Sequence, residues 1–349
     1  MKSLRAGIAG YGVVGERRHK VIDEHPNLCL AAIADLKFDE KTRVEGEVSY
    51  FKKYQDMIDD AGLDVLFVSL PNDVAPDATI AGLEAGCHVF CEKPPGRTVD
   101  DVKRVIAAEQ RADGLKLKYG FNHRYHDSVR EALRIAKSGE LGTVVNIRGV
   151  YGKSAMIPWP RPSAPSLNYS GERFWRTNRA VAGGGILLDQ GIHMVDLMRA
   201  FAGEFSNVKS FVRNSHWKHD VEDNAYALLE TKDGVVAMLH STATQWRHRF
   251  SLEVFLTEGA LILSGILSGT KSYGQEQLTI VYRDDADQGN PQETTQTYIR
   301  DNSWRDEIFE FADLILNDRP VEIGSSAEAL KTMQLVYDIY RADAEWQSA

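Results

Sequence analysis

The chain has 349 residues, 43% of them hydrophobic and 26% charged, and a formal net charge of -9. That length exceeds the usual ~100–200 residues of one domain, so two domains are expected, each large enough to bury a core. The acidic balance argues against a general nucleic-acid or anionic-membrane surface, and three cysteines, Cys29, Cys87 and Cys91, fit a reducing compartment better than a disulfide framework. The opening MKSLRAGIAGYG runs into a strand-like segment without an apolar signal region, and no later stretch approaches transmembrane length. The cytoplasm is the expected location.

From Leu4 to about Asn122, short apolar runs alternate with helical stretches: LRAGIA, LCLAAIAD, VLFVSLPN, HVFCEKP and LKLKYGFN. That alternation predicts a parallel sheet covered by helices. After a helix near His126–Lys137, TVVNIRGVYG, NVKSFVRNS, EDNAYALLE, GVVAMLHSTA and FSLEVFLTE follow one another with turns such as KDG, as antiparallel strands do. The last ~45 residues read as helical, with SSAE at Ser325–Glu328 as a capping box. The expected architecture is α/β: a dinucleotide-binding domain over residues 1–122, then an α+β domain over 123–349 built on a large, mostly antiparallel open sheet.

The first strand leads into G-x-G-x-x-G at Gly10, Gly12 and Gly15. Gly10 permits the tight turn, Gly12 lets backbone approach a pyrophosphate, and Gly15 lets the helix sit close to the strand. Asp35 ends the next strand 20 residues beyond Gly15, where a carboxylate accepts hydrogen bonds from a ribose. A carboxylate there repels a 2′-phosphate, so NAD is expected, with NADP kept open by Arg17, Arg18 and Lys37. Open α/β sheets bind ligands at the carboxyl ends of their strands. The cofactor-side candidates are therefore Gly10, Tyr11, Gly12, Val13, Val14, Gly15, Asp35, Leu70, Pro71, Asn72, Glu92, Lys93 and Asn122. Two prolines follow Lys93 at its strand end, which fixes where the ammonium points and suits it to polarise a hydroxyl or carbonyl oxygen. In CHVFC, strand alternation sends Cys91 and His88 to opposite faces, so no metal site is expected.

The segment GGGILLDQGIHMVDL, Gly183–Leu197, reads as an apolar helix opened by glycines that let it start close against other backbone. At about 100° per residue Asp189 and His193 lie ~40° apart, with Asp196 on the same side. His193 is the candidate general acid and base. Lys93 would favour the developing alkoxide, and Asp189 would orient the substrate or the imidazole.

GIAGYGVVG, SLPN, AGCHVFCEKP, GFNHRY, SGELG, FWR and GGGILLDQGIHMVDL occur in the order and spacing of the glucose-fructose oxidoreductase and inositol dehydrogenase family, which the chain resembles from residue 7 to 197. The resemblance implies two domains, a bound nicotinamide cofactor, and oxidation or reduction of a sugar or cyclitol at a carbon bearing oxygen. It places the family's Glu-Lys-Pro lysine at Lys93 and its Asp-x-Gly-x-His pair at Asp189 and His193. It also implies a homodimer or homotetramer through the C-terminal sheet. One departure is Ala75, where many members carry a histidine three residues after the Pro-Asn turn, which removes one cofactor-side contact.

From Tyr151 to Ala182 five cations, Lys153, Arg161, Arg173, Arg176 and Arg179, face the single acid Glu172, among aromatics that include Trp159, Tyr169 and Trp175. Aromatic faces stack on sugars or bases, and arginines grip phosphates. The substrate-binding candidates are Lys93, Arg124, Tyr151, Trp159, Arg161, Arg173, Arg176, Asp189 and His193. The leading reading is an NAD-dependent oxidoreductase of a nucleotide-linked sugar. The second keeps the chemistry with a free sugar or inositol. The third is a dinucleotide-binding sensor without catalysis, against which Lys93, Asp189 and His193 weigh.

Overall fold

The computed structural model describes residues 3–39, 43–156, 175–268, 271–286 and 289–347. In chain order the elements are β1 (Leu4–Ala9), α1 (Val13–Glu24), β2 (Leu28–Ala34), β3 (Arg43–Glu45), β4 (Val48–Phe51), α2 (Tyr54–Asp60), β5 (Val65–Val68), α3 (Ala75–Glu84), β6 (His88–Glu92), α4 (Val99–Glu109) and β7 (Leu117–Gly120). There follow α5 (Asp127–Ser138), β8 (Val144–Gly152), α6 (Arg179–Ala182), α7 (Ile192–Ala202), β9 (Phe205–Arg213), β10 (Asn224–Thr231), β11 (Val236–Thr242), β12 (Arg249–Leu256), β13 (Gly259–Ser264), β14 (Glu276–Tyr282), β15 (Gln292–Tyr298), α8 (Ser303–Leu316), α9 (Ser326–Arg341) and α10 (Ala344–Gln347).

The chain divides into two compact units, Met1–Asn122 with Ser303–Met333, and His123–Asn302 with Gln334–Ala349. In the first, seven strands run in the order β3-β4-β2-β1-β5-β6-β7, parallel throughout except for β3 against β4. Strands β5 and β6 are near-continuous apolar runs because helices cover both faces of such a sheet. The chain leaves β1 for β2 on one side and reaches β5 on the other. That reversal is the switch point where ligands of open α/β sheets lie.

The segment Ser303–Met333 was expected to stay with the C-terminal domain, and it packs instead in the first unit. Ile308, Phe311 and Ala312 of α8 join a core with Leu4, Ile8, Ile33, Phe67 and Phe90, and the Phe311 ring meets Phe90 edge-on at 5.7 Å between centroids. Each large side chain buried there contributes about 1.5–3 kcal/mol, so the sheet holds α8 by its apolar stripe.

The second unit is one eight-stranded sheet, β15-β14-β13-β12-β8-β11-β10-β9. Its strands pair antiparallel apart from β8 and β11. Helices α5 and α7 cover one face, and α7 lies so close to β8 that a Cβ on Gly149 would sit 2.5 Å from Met198 Cε and 2.8 Å from Met194 Sδ. On the other face Phe211, Tyr226, Leu228, Val236 and Met238 are exposed. They alternate with buried neighbours along β9, β10 and β11, as period-two strands require.

Candidate functional site

In the first unit the expected cofactor residues gather at the carboxyl ends of the strands. Gly10 has φ +91°, and a Cβ there would lie 2.4 Å from the Ser69 carbonyl oxygen; one on Gly15 would lie 2.1 Å from the Gly10 oxygen. Gly12 faces open space within 4 Å. The two tight glycines thus close the turn, while the third leaves room for a ligand against backbone. Val13 and Val14 begin α1, whose N-cap Gly12 offers no side-chain cap, and the first N–H groups of such a helix suit an anion. Asp35 is fixed by two backbone donors, the Tyr11 N–H at 2.7 Å and the Lys37 N–H at 3.0 Å. Each carboxylate oxygen keeps a further lone pair for ribose hydroxyls. These residues fit a dinucleotide.

Glu92, expected beside the cofactor, is instead turned to Arg18, whose Nε donates at 2.6 Å. Arg18 is 1% exposed, pairs with Glu307 at 2.6 Å, and lies 4.3 Å over the Trp304 ring. A guanidinium locked between two carboxylates is not free for a 2′-phosphate. Of the cations that kept NADP open, Arg18 is therefore removed, and the Lys37 ammonium donates to the Tyr11 carbonyl at 2.5 Å. Lys93 follows Glu92 directly, half-buried, and a cis peptide links it to Pro94. Leu70 and Pro71 are half-buried and Asn72 is buried after β5; the Asn122 amide donates to Ser303 Oγ at 3.1 Å. In CHVFC the His88 Nδ1 accepts from the Lys116 N–H at 3.0 Å, and burial pushes the Cys91 thiol up to about 12.

In the second unit the glycine-led helix is not α-helical throughout. Leu187–Gly191 forms a π-turn, and α7 begins at Ile192. The wider turn replaces the 100° spacing between Asp189 and His193; such turns recur at functional sites. Asp189 holds two cations, with Lys153 Nζ at 2.9 Å from Oδ2 and Arg176 Nε at 3.4 Å from Oδ1. His193, 4% exposed, stacks on His123 with 3.7 Å between centroids and 15° between planes. The His123 Nε2 meets the Tyr151 hydroxyl at 3.0 Å. Tyr151 packs on Tyr273 at 5.4 Å, and burial lifts both phenols above their ordinary range, with the Asp189 charge adding to the shift.

The start of this helix is held by Glu222, which is fully buried. Its carboxylate accepts from the Gly185 N–H at 2.6 Å, the Leu187 N–H at 2.9 Å and the Tyr340 hydroxyl at 2.7 Å. The glycines permit this approach. A Cβ on Gly185 would lie 2.0 Å from the Glu222 carbonyl oxygen, and one on Gly184 would lie 2.3 Å from the Tyr340 hydroxyl. Burial outweighs the three donors and pushes the Glu222 carboxyl up to about 7.

Several sequence expectations change here. Asp196 does not share a stripe with Asp189 and His193; it is gripped in bidentate fashion by Arg124, at 2.5 Å from Nε and 2.9 Å from Nη2. That pairing also removes Arg124 from the substrate contacts, because its fork is filled. Tyr151 is buried behind His123 rather than presented to solvent. Trp159, Arg161 and Arg173 lie outside the described residues. Sequence reasoning missed Glu222 and His123. His123 stands in the quoted GFNHRY, and Lys153 stood in the basic stretch, but nothing local assigned either a partner.

Residues 4–121 match the model of the oxidoreductase family with an NAD-binding Rossmann fold, and residues 129–262 match the GFO/IDH/MocA C-terminal domain. Myo-inositol 2-dehydrogenase of Thermotoga maritima is 26% identical over 78% of this chain and 79% of its own length. D-glucoside 3-dehydrogenase of Escherichia coli is 25% identical over 97% and 95%. The solved structure of levoglucosan dehydrogenase in complex with NADH superimposes with a TM-score of 0.80 at 21% identity, over 99% of this chain and 98% of that one. With an NAD-binding domain whose turn is built by Gly10, Gly12 and Gly15, and a C-terminal domain that carries the Asp-x-Gly-x-His helix, the chain belongs to the GFO/IDH/MocA family of oxidoreductases.

Proposed function

We propose that the chain is an NAD-dependent dehydrogenase of a free sugar or cyclitol, oxidising a secondary alcohol to a ketone or running the reverse reduction. The observation that carries this reading is that one short stretch carries both a stacked, buried His193 and, four residues earlier, an Asp189 held between Lys153 and Arg176. His193 takes the hydroxyl proton, its ring kept in place by His123. Lys93 stabilises the alkoxide that develops. Asp189 fixes the two cations that meet the substrate's hydroxyls. NAD, when bound, accepts the hydride. The residues that hold it are Gly10, Tyr11, Gly12, Val13, Val14, Gly15, Asp35, Leu70, Pro71 and Asn72.

The nucleotide-sugar reading gives way to this one. The relatives reported above are named for inositol and a glucoside, and Arg176, its best candidate for a diphosphate, is turned to Asp189. The test is a screen for NADH production against free sugars, inositols and nucleotide sugars. Turnover of free sugars or inositols is expected, and turnover of nucleotide sugars alone would overturn the reading.

The exposed apolar face of β9, β10 and β11 supports assembly as a homodimer or homotetramer through this sheet. Sedimentation at micromolar concentration should show the oligomer, and Leu228→Glu with Met238→Glu should shift it to monomer; a wild-type monomer would refute this. A reducing cytoplasm is the proposed location, supported by three free cysteines. Among the described residues no helix is long and apolar enough to cross a membrane.

A further inference from the structure

One cavity of the second unit, about 610 Å³ in volume, opens beside the start of β12 and the turn before β14. Arg247, His248, Arg249, Lys271, Ser272 and Tyr273 line it, and among the described residues no acidic side chain does. Among the described residues, Arg247, Arg249 and Lys271 make no ion pair. Three like cations around one cavity repel each other, and they stand out in a chain of net charge -9. A concentration of like charge kept unneutralised is a feature of sites that receive the opposite charge.

The walls are tied together rather than splayed. His248 bridges two segments, with Nε2 at 3.0 Å from Ser154 Oγ and Nδ1 at 2.8 Å from Ser272 Oγ. Burial and the neighbouring Lys153 charge hold its imidazole below its ordinary range, so it bonds as a neutral ring. The Gln245 N–H donates to the Lys153 carbonyl at 3.0 Å, which joins the cavity rim to the residue that pairs with Asp189. On its inner side Tyr273 packs on Tyr151, which meets His123, the ring stacked on His193. The ring of Tyr151 thus stands between the cavity wall at Tyr273 and the imidazole assigned to proton transfer, its centroid 5.4 Å from the first and 6.5 Å from the second. Its volume is within the ~300–1,000 Å³ of small-molecule sites.

We propose that this cavity receives an oxyanion group carried by the sugar, a carboxylate or a phosphate ester, and that the substrate is an acidic sugar rather than a neutral one. This rests on the dehydrogenase reading above. Arg247 and Arg249 supply forked donors and Lys271 a point charge. Holding the charged end there fixes which hydroxyl reaches His193.

The test compares each of several hexoses with its uronate and its 6-phosphate, using holoenzyme and NAD. The anionic forms should have kcat/KM at least ~10-fold above their parents, since charged hydrogen bonds differ from neutral ones on that scale. Arg249→Gln and Lys271→Gln should each lower the anionic-to-neutral ratio by ~10-fold. Lys232→Gln, an equal loss of charge on the exposed turn between β10 and β11, should leave the ratio as it is. Preference for the uronates identifies a carboxylate, and preference for the 6-phosphates a phosphate. Turnover of neutral parents with no anionic preference, or a ratio unmoved by both cavity variants, overturns this inference while the dehydrogenase reading stands. If no sugar of any charge yields NADH, that reading falls, and titration calorimetry with inorganic phosphate and with galacturonate decides the cavity. Binding of one of them weakened ~10-fold by Arg249→Gln supports it, and absent or unchanged binding overturns it.

Discussion

Each unit of the molecule holds a cluster of opposite charges beside its candidate reactive residue, and the two are built in opposite senses. In the first, one guanidinium, Arg18, sits between Glu92 and Glu307, with the arginine and Glu307 almost wholly withdrawn from water. In the second, one carboxylate, Asp189, sits between Lys153 and Arg176, and side-chain exposures of 14–33% leave all three in reach of solvent. The first arrangement has nothing to offer a ligand. It holds the end of β6, and with it the position of Lys93, by the large penalty for breaking a buried pair. The second carries one cation more than it needs, and partly solvated partners exchange at low cost. A sugar hydroxyl can take the place of a contact there. Burial and the sign of the surplus charge separate scaffold from recognition site more clearly than the mere presence of an ion pair.

That distinction is open to attack from both ends. Arg18→Met should be the most damaging change, because it strands the buried carboxylate of Glu307 and removes the partner of the half-buried Glu92; a loss of about 3–5 kcal/mol is expected in chemical denaturation. Lys153→Met, which leaves Asp189 its Arg176 partner, should cost under ~1 kcal/mol in the same measurement. Equal losses would erase the contrast. His193→Asn and Lys93→Met should lower kcat by ~100-fold or more with NAD affinity retained, whereas near-normal turnover in either variant would strike that residue from the mechanism.

Glu222 sharpens the comparison through pH. Its carboxyl is raised to about 7, so the folded protein holds this proton more tightly than the unfolded chain does. The contribution is complete below the ordinary carboxylate range and is lost as pH rises through about 7. Stability should therefore fall by about 2 kcal/mol between about pH 5 and 8, with the slope reduced in Glu222→Gln. An identical slope in the variant would place the titration elsewhere. Asp35→Ser should narrow the preference for NAD over NADP by ~10-fold in cofactor titrations. NADP binding equal to NAD in the unaltered protein would refute the role given to Asp35.

What the sequence revealed was whatever neighbouring residues decide. The G-x-G-x-x-G turn, Asp35 at a strand end and the glycines before a helix are local patterns, each with a steric or electrostatic reason contained within a few residues. Partners could not be read this way. Lys153 and Asp189 are separated by 36 positions, Gly185 and Glu222 by 37, and Arg124 and Asp196 by 72. Helical periodicity put Asp196 beside His193, but a bidentate arginine from the preceding segment claimed it. The same periodicity failed over Leu187–Gly191, since no composition rule marks where a helix admits a wider turn. The placement of Ser303–Met333 also escaped, because an apolar helical stripe states that it will be covered without stating by which sheet.

The late arrival of α8 has a consequence for how the protein is made. Every strand of the first sheet has been synthesised once Gly120 is added, but Glu307, Phe311 and Ile308 come from nearly two hundred residues further on. At ~5–20 residues per second that is a delay of roughly 10–40 s. Throughout it Arg18 has one of its two carboxylates, and the apolar cluster around Phe90 has α1 but lacks α8. The N-terminal sheet of a nascent chain thus keeps part of its apolar surface uncovered until its own C-terminal helix arrives.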